Sequence, residues 1–169
     1  MNYKVKQTWT LLFTFLIIFS LYLKRVLGIY NLEGIATFEN AHFWAKTMLV
    51  YIGLSIVLII IVMVLFNIIL AIGTTVKNRI DVEMGTSEEE DINDVFDTVE
   101  DEMDRLINLK AGQIGYTFVG LGFVAGLIAL TFNQPIGIML NITFLSFMIG
   151  AILESIVKIY FYIRGVSHG

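Results

Sequence analysis

The chain has no cysteine, one proline and two histidines. Without cysteine there is no disulfide, no thiol nucleophile and no thiolate ligand for zinc or an iron–sulfur cluster. His42 and His168 leave little for an imidazole-based metal or acid–base site, and His168 is the last residue but one. Charge is scarce as well: 15% of residues are charged and 57% are hydrophobic, against roughly 25% and 45–50% in a soluble domain. Neither a P-loop, nor an HExxH pair, nor a hydrolase triad stands in the sequence. These absences argue against an enzyme and against a cofactor.

What is present is four long apolar blocks. Uninterrupted apolar runs of about 18 or more read as membrane spans. Lys4 and Lys6 precede Trp9, and Thr8 to Leu23 carries no charge. No small-x-small cleavage site follows, so this block reads as a retained first span, about 8–27, with Lys24 and Arg25 snorkelling at its end. Tyr30 to Lys46 reads as a short loop, with Phe43 and Trp44 as an interfacial anchor. Met48 to Val76 is an uncharged run of 29 residues, the second span. The third runs about 112–132 and the fourth about 136–162, separated by the turn Asn133-Gln134-Pro135, with Pro135 suited to a helix start.

The expected fold is therefore an all-α integral membrane protein of four transmembrane helices arranged as two hairpins. Residues 1–76 form the first hairpin, 77–110 an acidic amphipathic helix continuous with the third span, and 111–169 the second hairpin. With four crossings the N-terminus, the central segment and the C-terminal tail share one side. They hold two, four and two Lys or Arg, against three on the other side. The positive-inside rule then places both termini in the cytoplasm.

The net charge of −4 is unevenly spread: Lys77 to Lys110 holds twelve acids and four bases. Ser87 and Glu90 have the spacing of a capping box, and Glu88 to Asp91 lie where a helix N-terminus favours acids. Ile92, Phe96, Val99, Met103 and Leu106 follow at intervals of four and three, with Val95 and Ile107 flanking, a short coiled-coil seam. The plain reading is a solvated acidic face whose apolar stripe packs within the protein. The functional reading is a docking surface, in which the stripe supplies burial and Asp94, Asp97, Asp101, Glu102 and Asp104 select a basic partner. A calcium loop over Asp91, Asn93, Asp94 and Asp97 fails, because Phe96 occupies the position that needs glycine.

Span three is rich in glycine. Gly122-x-x-x-Gly126, with Gly115, forms a small face that lets helix backbones approach, and Gly150 in span four answers it beside Ser146 and Ala151. That face serves packing within the second hairpin or a homodimer. Glu154 is the one acid inside an apolar stretch. Lys158 lies one turn on, so an i,i+4 ion pair near the interface competes with a proton- or cation-coupled site. Asn67 and Asn141 are expected to bond across helices. The acceptor sequence Asn141-Ile142-Thr143 is discounted because it lies within a span.

Three stretches, NYKVKQTWTLLF (2–13), VEDEMDRLINLKAGQIGYTFVGLGFVA (99–125) and IVKIYFYIRGV (156–166), resemble small four-span membrane proteins of low-GC Gram-positive bacteria. The shared element is an acidic D-E-M-D-x-L-I-x-L-K run entering span three, here Asp101, Glu102, Met103, Asp104, Leu106, Ile107, Leu109 and Lys110. The resemblance implies the bacterial cytoplasmic membrane and no known activity. It also implies partnership with small DNA-binding regulators, without direct contact to nucleic acid. The expected function is a non-enzymatic regulatory or accessory scaffold that binds a basic cytoplasmic protein or a second copy. The rival is a small dimeric transporter or channel using Glu154, Asn141 and the glycine face; purified protein that moves no solute in liposomes would count against it.

Overall fold

The computed structural model describes residues 3–83 and 102–164. They form α1 (Tyr3–Glu33), a 3₁₀ helix (Gly34–Glu39), α2 (Ala41–Glu83), α3 (Glu102–Thr131) and α4 (Ile136–Arg164), with no strand among them. All four α-helices are long and apolar enough to cross a membrane. The Ser87 capping box and the acidic stripe up to Asp101 lie outside the described residues. From Glu102 onward the acidic element and the third apolar block form one helix, unbroken at Gly112 and Gly115.

Local chemistry sets the helix ends. Gly34 leaves α1 at φ 66°, the left-handed conformation in which glycine carries no Cβ penalty. Asn40 caps α2, its Oδ1 accepting the Phe43 N–H at 3.0 Å. Asn133, at φ 56°, ends α3. There the Gln134 N–H reaches the Ala129 carbonyl at 3.2 Å and the Asn133 N–H reaches Leu130 at 3.0 Å. This double closure satisfies carbonyls that the helix end would orphan. Pro135 follows, and α4 begins one residue later.

α3 and α4 make the most extensive contact and run antiparallel. Gly126 faces Met139 and Thr143, Gly122 faces Ser146, and Gly115 faces Gly150 and Glu154. α1 packs on α4 and α2, with Tyr22 at the junction. The Tyr22 ring meets Tyr51 and Phe144 edge-on at centroid distances of 5.0 and 4.6 Å. Tyr22, Ile29, Phe38, Trp44 and Met48 form the buried cluster. α2 touches the rest mainly toward its ends: through Trp44 and Met48 at one, and through the Tyr3 hydroxyl on Asn67 Oδ1 (2.9 Å) toward the other. Along its length, Ile56, Ile60, Val64 and Ile68 lie exposed.

The segment 30–46 departs from the expected loop. α1 continues to Glu33 and α2 starts at Ala41, leaving only the short 3₁₀ helix and Asn40 between them. Trp44 is not a surface anchor but is fully buried. Its ring stacks on Phe38 at 4.9 Å, and its Nε1 donates to the Thr37 carbonyl at 3.1 Å. An indole that stacks and finds an acceptor for its N–H is better placed inside than at an interface. Gly137 makes room for it, since a Cβ there would overlap the Phe38 carbonyl and the Trp44 ring.

Candidate functional site

Polar groups collect at the end of the bundle where α1 and α3 begin and α4 finishes. Lys4 Nζ lies 2.5 Å from Asp104 Oδ2, with both side chains largely shielded. One helix across, Lys158 Nζ lies 2.7 Å from Glu154 Oε1. The i,i+4 pairing expected from the sequence therefore forms. It is half-buried, so the attraction is less screened than on an open surface.

Between α1, α3 and α4 lies a polar cavity of about 460 Å³, bordered by Lys4, Gln7, Thr8, Asn108, Glu154, Ser155, Lys158 and Tyr162. On the outer side of the α3–α4 seam runs a larger groove of about 880 Å³, bordered by Arg105, Leu109, Lys110, Gly112, Gln113, Tyr116 and Thr117. Asn108, Glu154 and Lys158 border both, so the ion pair stands as a partition between them. Along α3 the groove follows positions 105, 109, 112, 113, 116 and 117, one face at helical spacing.

Of the partner-binding stripe, Met103 and Leu106 are described. Met103 is exposed and Leu106 half-buried. The residue that turns inward is Ile107, followed by Ala111, both essentially solvent-free. The buried line in this turn thus runs through Ile107, which the heptad reading treats as flanking. Packing on α4 sets this rotation, because Gly115 and Gly122 must face Gly150 and Ser146, and the Lys4–Asp104 pair ties the first turn of α3 to α1. Asp104 is therefore engaged within the chain, while Glu102 is exposed. Ile92, Asp94, Phe96, Asp97, Val99 and Asp101 lie outside the described residues.

The helix-packing glycines come together as a set. A Cβ on Gly150 would lie 2.8 Å from the Gly115 carbonyl oxygen, and one on Gly122 would overlap Ser146. Asn141 is nearly solvent-free: its Oδ1 accepts from the Tyr22 hydroxyl at 2.8 Å, and its Nδ2 donates to the Gly137 carbonyl at 2.7 Å. Glu154 lies 13 residues further along α4, about 20 Å by helical rise. Gly115 adjoins Glu154 at one end of the α3–α4 seam, and Asn141 lies toward the other. Among the described residues, no group of three or more histidine or acidic side chains could hold a metal ion.

Sequence reasoning missed Gly137 and the Lys4–Asp104 tie. Gly137 sits outside the small-x-x-x-small pattern, and Lys4 and Asp104 are 100 residues apart. Comparison with protein-family models, with curated proteins and with solved structures finds no match to this chain.

Proposed function

We propose that the chain is a multi-pass protein of the bacterial cytoplasmic membrane, with both termini cytoplasmic. On this reading it is a non-enzymatic scaffold that docks a basic cytoplasmic partner on the acidic segment entering α3. The exposed belt of large aliphatic side chains on α2, among them Ile56, Ile60, Val64 and Ile68, supports the membrane setting. Such a surface suits hydrocarbon, where lipid tails solvate it, and would aggregate in water. The starts of α1 and α3 and the end of α4 lie together, which agrees with an even number of crossings and a shared cytoplasmic side.

The observation that carries the docking reading is the Lys4–Asp104 tie beside the exposed Met103. It anchors the base of the acidic segment to α1 while leaving an apolar side chain uncovered. Charge then decides between partners. Twelve acids against four bases over Lys77 to Lys110 make two copies of this segment repel each other, whereas a basic protein is attracted. A transport role finds less support, because Asn141 has both amide atoms engaged and the glycine face is occupied by α4.

The test is crosslinking in intact membranes with bait residues in 88–110, read by mass spectrometry, on wild type and on the double change Phe96→Ser, Met103→Ser. Capture of a basic protein that falls with the double change and with rising salt supports the reading. Capture unaffected by both would sink it, and capture of a second copy alone would replace the basic partner with self-association.

A further inference from the structure

We propose that the groove on the outer α3–α4 seam binds the phosphodiester head group of an anionic phospholipid through Arg105 and Lys110. The inference rests on the membrane reading above and adds to it a specific lipid site.

The groove carries three cationic side chains, Arg105, Lys110 and Lys158, against the single carboxylate of Glu154. Glu154 is held by Lys158 at 2.7 Å, so those two largely neutralise each other. The excess positive charge is that of Arg105 and Lys110. Asp104 is bound to Lys4 of α1, and Glu102, exposed one turn before Arg105, stands outside the groove lining. Arginine offers a planar fork of donors matched to phosphate oxygens, and lysine adds a point charge.

The form of the groove favours a lipid over a small anion. Its volume of about 880 Å³ far exceeds the needs of a phosphate. Its lining also changes character along the helix. Arg105 and Lys110 stand at the end near the acidic turn, while Tyr116 stands about 17 Å further along by helical rise from Arg105. Tyr116 is among the most exposed aromatics of the described residues. A ring at that depth lies along the acyl chains of a lipid whose head group is held at Arg105. Gly112, with no side chain of its own, leaves the floor between them open. Basic pockets between membrane helices on the cytoplasmic side are the usual setting for anionic head groups.

The site would also answer an electrostatic difficulty. The acidic segment is repelled by an anionic leaflet, and a specific anionic lipid held beside Arg105 would fix the base of α3 at the surface despite that repulsion.

The experiment uses the full chain in phosphatidylcholine vesicles containing phosphatidylglycerol. Spin-labelled lipids report the selectivity of the protein for one head group over the other. Arg105→Gln with Lys110→Gln should lower selectivity for phosphatidylglycerol by about tenfold or more, at roughly 1 kcal/mol per cation. Arg105→Lys with Lys110→Arg should retain most of it, and Glu154→Gln should raise it. Lys24→Gln with Arg25→Gln, at the other end of the bundle, should leave it unchanged. Equal selectivity in wild type and the Arg105/Lys110 neutral variant overturns the inference and leaves the membrane reading standing. Displacement of the labelled lipid by millimolar inorganic phosphate would overturn it too, by making the groove a site for a soluble anion. Failure of the wild-type chain to float with the vesicles would overturn the membrane reading itself, and the inference with it.

Discussion

Gly150 offers the sharpest test of how the bundle is held together. The change is Gly150→Ala, one methyl group. Its Cβ would lie 2.8 Å from the Gly115 carbonyl oxygen and 3.2 Å from Val119 Cγ2. The first contact is to backbone, which has no rotamer to yield, so the helices must separate by several tenths of an ångström. That separation also loosens Gly122 against Ser146 and Gly126 against Met139, on the same seam. Overpacking of this kind costs about 1–3 kcal/mol, offset by about 1 kcal/mol from replacing a helical glycine with alanine. The control is Gly120→Ala on the open side of α3, away from the seam, where a Cβ meets nothing within 4 Å. There only the propensity gain remains, so the protein should be unchanged or slightly more stable. Thermal unfolding of both variants in one detergent, followed by circular dichroism, reads the contrast. About 2–4 °C of Tm accompanies each kcal/mol for a chain of this size. Gly150→Ala and Gly120→Ala proteins of equal stability would refute the close-packing argument.

Two further expectations follow from the buried cluster. Tyr22→Phe removes the donor to Asn141 Oδ1 and should cost about 1–2 kcal/mol. Combined with Asn141→Leu it should cost less than the sum of the single changes, and strict additivity in a thermal double-mutant cycle would show that the two groups do not interact. Trp44→Ala should be the most damaging single substitution in the cluster, at about 3–5 kcal/mol, because stacking on Phe38 and the hydrogen bond to Thr37 are lost together. An exposed aromatic such as Phe13 changed to alanine is the comparison, and equal losses would place Trp44 outside the core.

Much of the architecture is legible in the sequence, for a physical reason. An apolar run of about 20 residues is a strong signal carried by each segment alone. Runs such as Met48–Val76 therefore become long helices whatever their neighbours do. The turn after Thr131 is equally local, since Asn133 tolerates the left-handed conformation and Pro135 cannot continue α3. The glycine seam is legible because, among helices apolar on all sides, small residues are what mark a packing face.

Tertiary structure decided what lacks such a mark. The middle of α2 is aliphatic on every side, and apart from Asn67, which meets Tyr3, its sequence does not tell a packed face from the faces left open. Trp44 could sit at an interface or inside, and the stack on Phe38 with the space left by Gly137 places it inside. The heptad stripe at Met103 and Leu106 is a true periodicity, but the close packing of α3 on α4 turns Ile107 inward instead. Hydropathy measures a residue's transfer from water, and that quantity is nearly the same whether an aliphatic side chain ends against lipid or against another helix. The sequence by itself therefore determined the four long apolar helices, the turn before Pro135 and the glycine seam between α3 and α4, but neither the ends of α1 and α2 nor the packing at Gly137. Which remaining faces meet, and where the polar cavities open, depended on contacts between residues as far apart as Lys4 and Asp104.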